Sequence, residues 1–160
     1  MKDLDWSNLS FGYRQTDYNV RCYYRDGKWG EIEVCSDEYL KLHMAATCLH
    51  YGQEAFEGLK AYRCPDGKVR VFRMDENAKR LQSTCRGILM PEVPTEMFEE
   101  MVKKVVRRNQ EWIPTYRSGG TLYIRPLLIG TSAQVGVHPS KEYCFLIFVT
   151  PVGPYFKGGF

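Results

Sequence analysis

The sequence lacks the features of membrane, secreted and nucleic-acid-binding proteins. None of its apolar runs, in 160 residues, approaches the ~18–20 residues that a membrane-spanning helix requires. Residues 1–6 have no apolar core behind a basic stretch, as a secretory signal would. Lys and Arg number 22 against 19 Asp and Glu, and the net charge of +3 is too small to indicate nucleic-acid binding. We therefore expect a cytoplasmic protein of one globular domain, with neither membrane nor nucleic-acid partners.

Cysteines and histidines are too scattered for a metal site or a disulfide framework. The sequence has no Cys-x-x-Cys pair, and its three histidines stand at no zinc-finger spacing. Six cysteines in this length are sparse compared with small secreted scaffolds. We predict no metal site and expect buried, reduced thiols at Cys22, Cys35, Cys48, Cys64, Cys85 and Cys144.

Familiar catalytic motifs are also missing. The sequence has no P-loop, no Gly-x-Gly-x-x-Gly after a predicted strand, and no serine in a nucleophile elbow. Glu57 is a candidate general base, although a single carboxylate in a strand is usually structural or faces solvent.

Strand patterns and turn residues predict two hairpins. Residues 19–25 and 28–34 flank Asp26-Gly27, which suits a type I′ turn. Residues 55–63 and 68–73 flank a Pro-Asp-Gly turn and alternate between apolar and polar side chains. Residues 39–50, between the two hairpins, are compatible with a helix. Two further strands are predicted at residues 121–129 and 143–150.

Two consecutive helices separate the second hairpin from the last two strands. Asp75 is the expected N-cap of the first, whose apolar face includes Leu81, Ile88 and Leu89. Thr95 is the expected N-cap of the second, whose apolar stripe continues to Ile113. The charges of this second helix support its prediction. Acidic residues stand at its start and basic residues at its end, and Glu–Lys pairs are spaced four residues apart.

This order of elements predicts an α+β fold. We expect a two-layer α/β sandwich in which helices cover one face of a mostly antiparallel sheet. Residues 1–17 are predicted to be an irregular leading segment and residues 18–153 the domain. Residues 154–160 are predicted to begin a linker, because Pro151 and the residues after it are poorly suited to a strand.

One pattern in the predicted strand 121–129 can bind an anion. Tyr123 and Arg125 share a face of the strand, while Ile124 points into the core. A guanidinium beside a phenol forms a receptor for carboxylates. On spacing alone, the same pattern also fits the polar outer face of a half-buried sheet.

Four blocks of the sequence resemble one enzyme family. Residues 49–63 (LHYGQEAFEGLKAYR), 71–81 (VFRMDENAKRL), 122–130 (LYIRPLLIG) and 151–156 (PVGPYF) are similar, in this order and at matching intervals, to the small N-terminal domain of branched-chain amino acid aminotransferases. These are pyridoxal 5′-phosphate enzymes of the D-amino acid transaminase-like fold, called fold type IV. The Tyr-x-Arg-Pro part of the third block and the fourth block favour this branch over D-amino acid transaminases and aminodeoxychorismate lyases.

The resemblance implies roles for individual residues. Arg80 matches the arginine that binds the cofactor phosphate. Phe56, Tyr123 and Tyr155 match residues that line the pocket for the substrate side chain, and Tyr123 is also placed to approach the substrate α-carboxylate. Arg125 matches the arginine that binds the side-chain carboxylate of glutamate, the amino donor.

The resemblance also implies a homodimer. Tyr51 and Val137 match residues that reach into the site of the neighbouring subunit. The whole enzyme is expected to be cytoplasmic, to serve branched-chain amino acid biosynthesis, and to transfer the amino group between L-Leu, L-Ile or L-Val and 2-oxoglutarate.

The sequence departs from the family in having no catalytic lysine in the matching context. In the family, the Schiff-base lysine belongs to a large cofactor-binding domain, and here it is expected beyond residue 160. This chain alone is therefore expected to be inactive. Alternatives are a D-amino acid transaminase or lyase of the same fold, and a stand-alone binding or assembly module without catalysis.

Overall fold

An antiparallel sheet organises the chain in the computed structural model, which describes residue 2 and residues 4–153. Six strands form the order β2-β1-β8-β7-β5-β6, β3 also pairs with β1, and β4 also pairs with β7. This sheet with its few helices confirms the predicted fold class. The strands are β1 (Asn19–Arg25), β2 (Lys28–Trp29), β3 (Glu33–Cys35), β4 (Glu54–Phe56), β5 (Leu59–Arg63), β6 (Val69–Val71), β7 (Thr121–Gly130) and β8 (Tyr143–Val152).

The two long central strands separate the faces of the sheet. β7 and β8 pair over their full length, from Thr121 opposite Val152 to Gly130 opposite Tyr143. Because side chains alternate between faces, one set enters the main core and the other set faces away from it. The core set comprises Leu122, Ile124, Leu128, Tyr143, Phe145, Ile147 and Val149. Tyr123 and Arg125 therefore lie on the opposite face, which we call the open face.

Two amphipathic helices, α2 (Met74–Gly87) and α3 (Thr95–Arg108), cover the core face. α2 buries Ala78, Leu81 and Cys85. α3 buries Phe98, Met101, Val102, Val105 and Val106, which occupy one side of the helix. The predicted pairs Glu99–Lys103 and Glu100–Lys104 are present at 2.8 and 3.3 Å.

The helix ends differ from the prediction. The N-cap positions are Arg73 and Pro94, so Asp75 and Thr95 lie inside the first turns instead. Ile88 and Leu89 are exposed residues after α2, where Leu89 has a φ of 57° that ends the helix. α3 ends at Arg108, and Asn109 follows it. The side-chain amide of Asn109 donates one hydrogen bond to the carbonyl oxygen of Val105, in the last turn of the helix, and another to the carbonyl oxygen of Tyr18.

The predicted helix at residues 39–50 is mostly wrong. Only α1 (Thr47–Tyr51) forms, and it lies by the open face, where Cys48 packs against Ile129, Cys144 and Leu146. The residues before it are largely without regular structure. This short helix therefore lies apart from α2 and α3, which cover one face of the sheet as predicted.

Predicted strands are interrupted where the backbone cannot continue a regular ladder. Residues 28–34 divide into β2 and β3 because one extra residue opposite Tyr23 shifts their register against β1. Residues 55–63 divide at Glu57-Gly58, opposite Pro126, which has no N–H to donate to the neighbouring strand. The turn at Asp26-Gly27 has positive φ at both residues, as a type I′ turn requires.

The end of β8 also differs from the prediction. Pro151 continues the strand, opposite Leu122 of β7. The pairing of β8 with β1 ends at Ile147, so at Pro151 the strand β7 is the only neighbour of β8 in the sheet. Proline is tolerated at such an edge position because no strand on the other side needs its N–H.

The leading segment is tied to the domain by hydrogen bonds. The Arg14 N–H donates to the hydroxyl of Thr150 at 2.8 Å, and the Thr16 hydroxyl donates to the carbonyl oxygen of Val149. The backbone N–H groups of Asp17 and Tyr18 donate to the side-chain oxygen of Asn109. These bonds hold residues 11–18 beside the open face of β8.

The described residues carry neither a membrane-spanning helix nor a metal-binding cluster. No helix within residues 4–153 has the length and apolarity needed to cross a membrane. The same part of the chain holds no group of three or more metal-binding side chains. All six cysteines are free thiols; Cys22, Cys85 and Cys144 are buried, whereas the other three are only partly buried.

Candidate functional site

The centre of the candidate site is an arginine packed between two aromatic rings. Arg125 lies over the Phe56 ring at 4.6 Å and over the Tyr123 ring at 5.3 Å. Its Nε donates a hydrogen bond to the Tyr123 hydroxyl oxygen at 3.1 Å. Cation–π contacts and this bond fix the guanidinium, whose other N–H groups make no hydrogen bond within the described residues and can bind an anion. The structure thus brings Phe56, Tyr123 and Arg125 together as predicted.

A cavity of about 220 Å³ lies next to this arginine on the open face. Tyr123 and Arg125 form one wall, Phe148 and Thr150 of β8 form another, and the leading segment closes it. Phe11 meets Tyr123 edge-on at 5.3 Å. Phe11 could not be predicted from the sequence, because the segment around it has no periodic pattern.

Gly58 allows Tyr123 to take this position. A Cβ at residue 58 would lie 2.7 Å from the Tyr123 hydroxyl oxygen. That distance is shorter than any normal contact, so only glycine leaves room for the phenol here.

A second arginine is held by a buried carboxylate. Glu57, 3% exposed, accepts two hydrogen bonds from Arg80, at 2.8 Å from Nε and at 2.6 Å from Nη2. Asn77 donates a third hydrogen bond to the same carboxylate at 2.8 Å. The hydrogen bonds that Arg80 donates to the Glu57 carboxylate raise the pKa of its guanidinium above its ordinary value. Glu57 is therefore a structural anchor rather than a solvent-facing residue.

Arg80 nevertheless presents donors to solvent. Its side chain is 68% exposed, and within the described chain its Nη1 makes no hydrogen bond. A guanidinium fixed along one edge and free along the other is suited to a phosphate or carboxylate group.

Three consecutive residues connect the two arginines. Phe56 contacts Arg125, Glu57 binds Arg80, and Gly58 makes room for Tyr123. Alternation of side chains along these strands places Phe56 on the open face and Glu57 on the core face, toward α2. The cluster combines two cations with aromatic walls, an arrangement that binds an anionic molecule with an apolar body.

The other predicted residues form a separate group. Tyr51 on α1 donates a short hydrogen bond to the carbonyl oxygen of Val135, two residues before Val137. Val137 is 85% exposed and Tyr51 is also exposed. The structure therefore places Tyr51 and Val137 near one another on the surface. Tyr155 lies outside the described residues.

Comparison with known proteins agrees with the motifs. No protein-family model matches the chain. A "branched-chain-amino-acid aminotransferase" of Haemophilus influenzae is 52% identical over 159 residues, which are 99% of this chain and 46% of that protein. A chloroplastic one of Arabidopsis thaliana is 45% identical and has 38% of its length matched. The chain is thus similar over nearly its whole length to branched-chain-amino-acid aminotransferases. It spans about half the length, or less, of the curated relatives it matches.

Solved structures of branched-chain aminotransferases share the fold. The branched-chain amino acid aminotransferase of Escherichia coli has a TM-score of 0.64 and 25% identity over 89% of this chain and 42% of that one. A T.th. branched-chain amino acid aminotransferase, solved with pyridoxamine 5′-phosphate, has a TM-score of 0.65 and 26% identity over 90% of this chain and 43% of that one. The sheet and helices described above therefore have the same fold as part of each of these two enzymes.

Proposed function

We propose that this chain provides the substrate-pocket domain of a branched-chain amino acid aminotransferase. The whole enzyme would transfer the amino group between L-Leu, L-Ile or L-Val and 2-oxoglutarate. The observation that carries this proposal is the Arg125 guanidinium packed between Phe56 and Tyr123 beside a small cavity. Similarity to the named relatives over 99% of the chain supports it.

The pocket suits two kinds of side chain in turn. The aromatic faces of Phe56, Tyr123 and Phe148 favour an aliphatic substrate side chain through apolar contact. The free N–H groups of Arg125 favour the side-chain carboxylate of glutamate. The Tyr123 hydroxyl is placed beside Arg125 to approach the substrate α-carboxylate as well. We propose that Tyr155 adds to the same wall.

Pyridoxal 5′-phosphate is the proposed cofactor. Its phosphate fits the free edge of Arg80, because Glu57 fixes the opposite edge and leaves exposed donors. When bound, the cofactor would supply an electron sink for the α-carbon of the amino acid. Arg80 would hold the phosphate, and Phe56 and Tyr123 would exclude water from the reacting end of the pocket.

The remaining parts of the enzyme are proposed to come from outside the chain. We propose that a larger domain carries the catalytic lysine, so that the chain alone is inactive. Tyr51 and Val137 are proposed to complete the site of a partner subunit in a homodimer. Their exposure leaves them available for such a contact. A cytoplasmic, biosynthetic role is proposed, although some relatives are chloroplastic.

Arg125→Ala in the full-length enzyme tests the proposed role of the arginine. We expect the half-reaction with L-glutamate to slow at least tenfold more than the half-reaction with L-leucine, measured by single-turnover kinetics. Arg86→Ala is the control, because Arg86 pairs with Glu92 on the surface, away from Arg125 and its cavity. Equal losses in both half-reactions would contradict the carboxylate role. Faster turnover of D-alanine than of L-leucine would contradict the branched-chain assignment.

A further inference from the structure

A second cavity of about 220 Å³ opens on the same face of the sheet. Its walls are apolar side chains of the sheet and of residues 36–40. Exposed residues of the leading segment form its rim, and a buried arginine lines it. The apolar side chains are Leu40, Leu127, Leu146 and Phe148, and the polar ones include Tyr13, Tyr18, Arg21 and Glu38.

Arg21 is the unusual group in this cavity. It is 9% exposed, its Nε donates to Asn19 at 2.8 Å, and its Nη2 donates a short bond to the carbonyl oxygen of Asp37. In residue 2 and residues 4–153, no carboxylate lies within 4.0 Å of its guanidinium. A buried cation is stable when an anion pairs with it, and neutral oxygens compensate its charge only in part.

The carboxylates around Arg21 do not take that place. Glu38 is exposed at the rim, where it accepts a hydrogen bond from the Tyr13 hydroxyl at 2.9 Å. Glu33 is opposite Arg21 in the β1–β3 pair but is exposed. The Tyr23 phenol also hydrogen-bonds Arg21, and it is neutral like the partners of Nε and Nη2. The cavity therefore holds a positive charge above an apolar floor.

We propose that this cavity binds a small aliphatic monocarboxylate. The carboxylate would pair with the Arg21 guanidinium, and the aliphatic part would pack against Leu40, Leu127 and Leu146. This site is next to the Arg125 cavity, since Tyr13 and Phe148 line both and meet edge-on at 5.9 Å. The proposal stands on Arg21 and its cavity, and it holds whether or not the proposed aminotransferase function is correct.

Methyl NMR on the full chain tests this site with 4-methylvalerate as the probe. Three leucines line the cavity, whereas Leu59, Leu81 and Leu122 are buried in the main core and serve as internal references. In an Arg125→Gln background, we expect saturable shifts of the Leu40, Leu127 and Leu146 methyl signals. Isoamylamine has the same branched chain with a cation, and it is expected to cause no saturable shift.

Two variants in that background examine the arginine and the space separately. Arg21→Gln is expected to weaken binding of 4-methylvalerate at least tenfold. Leu40→Trp fills the cavity from a loop and leaves Arg21 in place, so it is expected to abolish the shifts even if Arg21→Gln folds poorly. Unchanged affinity in a folded Arg21→Gln or Leu40→Trp protein would overturn the proposal, as would equal binding of the amine. If 4-methylvalerate shifted these signals in the unsubstituted protein but not in Arg125→Gln, the probe would be bound in the Arg125 cavity. That result would also overturn the proposal.

Discussion

A single buried carboxylate supports the arrangement of the candidate site. Glu57 receives three hydrogen bonds, two from Arg80 and one from Asn77, although it lies in the break between two strands. Burying a carboxylate is costly unless its partners satisfy it. The geometry of Arg80 and the stability of the strand break therefore depend on the same contacts.

Removing Arg80 should cost more stability than neutralising its partner. Arg80→Ala leaves the buried charge of Glu57 with Asn77 alone, and we expect a loss of about 2–3 kcal/mol in the free energy of unfolding. Glu57→Gln keeps the shape and removes the charge, so we expect about 1 kcal/mol. Arg86→Ala, in the same helix, should cost less than about 0.5 kcal/mol because its ion pair is exposed. Urea denaturation measures all three, and a smaller loss for Arg80→Ala than for Glu57→Gln would refute the anchoring role.

Gly58→Ala should move the Tyr123 ring away from Arg125. The added methyl would meet the phenol oxygen at 2.7 Å, and relieving this overlap should cost about 1–3 kcal/mol of stability. Gly87→Ala is a matched control, since nothing lies within 4 Å of the Cβ it would add. Urea denaturation of both variants checks the cost, and equal stability of the two would show that the pocket tolerates the methyl group.

Sequence reasoning reached the residues of the site but only some of their contacts. The shared face of Tyr123 and Arg125 follows from strand alternation, which is a local rule. The bonds from Arg80 to Glu57 join residues 23 positions apart, and no local pattern encodes them. Phe11 was missed for a similar reason, because its position depends on where the leading segment meets the sheet.

At the scale of elements, helix α3 is the part of the fold most fully specified by its sequence. Its apolar stripe, its dipole-matched charges and its ion pairs all favour the same face and length. The boundaries were less predictable, because Asn109 ends α3 through bonds to Tyr18 in the leading segment. Strand ends likewise depended on Pro126 and Pro151, whose effects are set by the strands beside them.

Phe98→Ala tests how much α3 contributes to the core. Phe98 is fully buried and stacks on Phe145 of β8 at 6.0 Å. We expect a loss of about 3–5 kcal/mol in the free energy of unfolding, from lost burial and the cavity left behind. Glu100→Ala on the exposed side of the helix should change it by less than about 0.5 kcal/mol. Thermal and urea unfolding measure both, and comparable losses would contradict the assigned face.

At the scale of the whole molecule, the two faces of the sheet have different tasks. The core face holds α2 and α3 and most of the buried apolar side chains. The open face carries Arg125 in one cavity and Arg21 in the other, with aromatic side chains between them. Side chains alternate along β7 and β8, so the residues that stabilise the core lie on one face and those of the proposed binding sites lie on the other. This division could be predicted for β7 from its sequence, whereas the cavities depend on loops that have no repeating pattern.

Buried thiols make the stability of the whole molecule depend on alkaline pH. Burial raises the pKa of Cys85 to about 11 and that of Cys144 to about 12, from 9.0 for an exposed thiol. The folded state therefore binds these protons more tightly than the unfolded state. Their stabilising effect is complete below pH 9 and is lost as the pH rises through the folded-state values.

We expect the free energy of unfolding to fall between pH 9 and pH 11 by on the order of 2 kcal/mol for each of these two thiols. Urea denaturation across this range, under reducing conditions, measures the slope. The double variant Cys85→Ala/Cys144→Ala should show a shallower slope. It should keep a residual one, because burial also raises the pKa of Cys22 and Tyr143. A slope that is the same in the double variant would mean that other groups govern the alkaline loss of stability, and a rise in stability above pH 9 would contradict the sign of these pKa shifts.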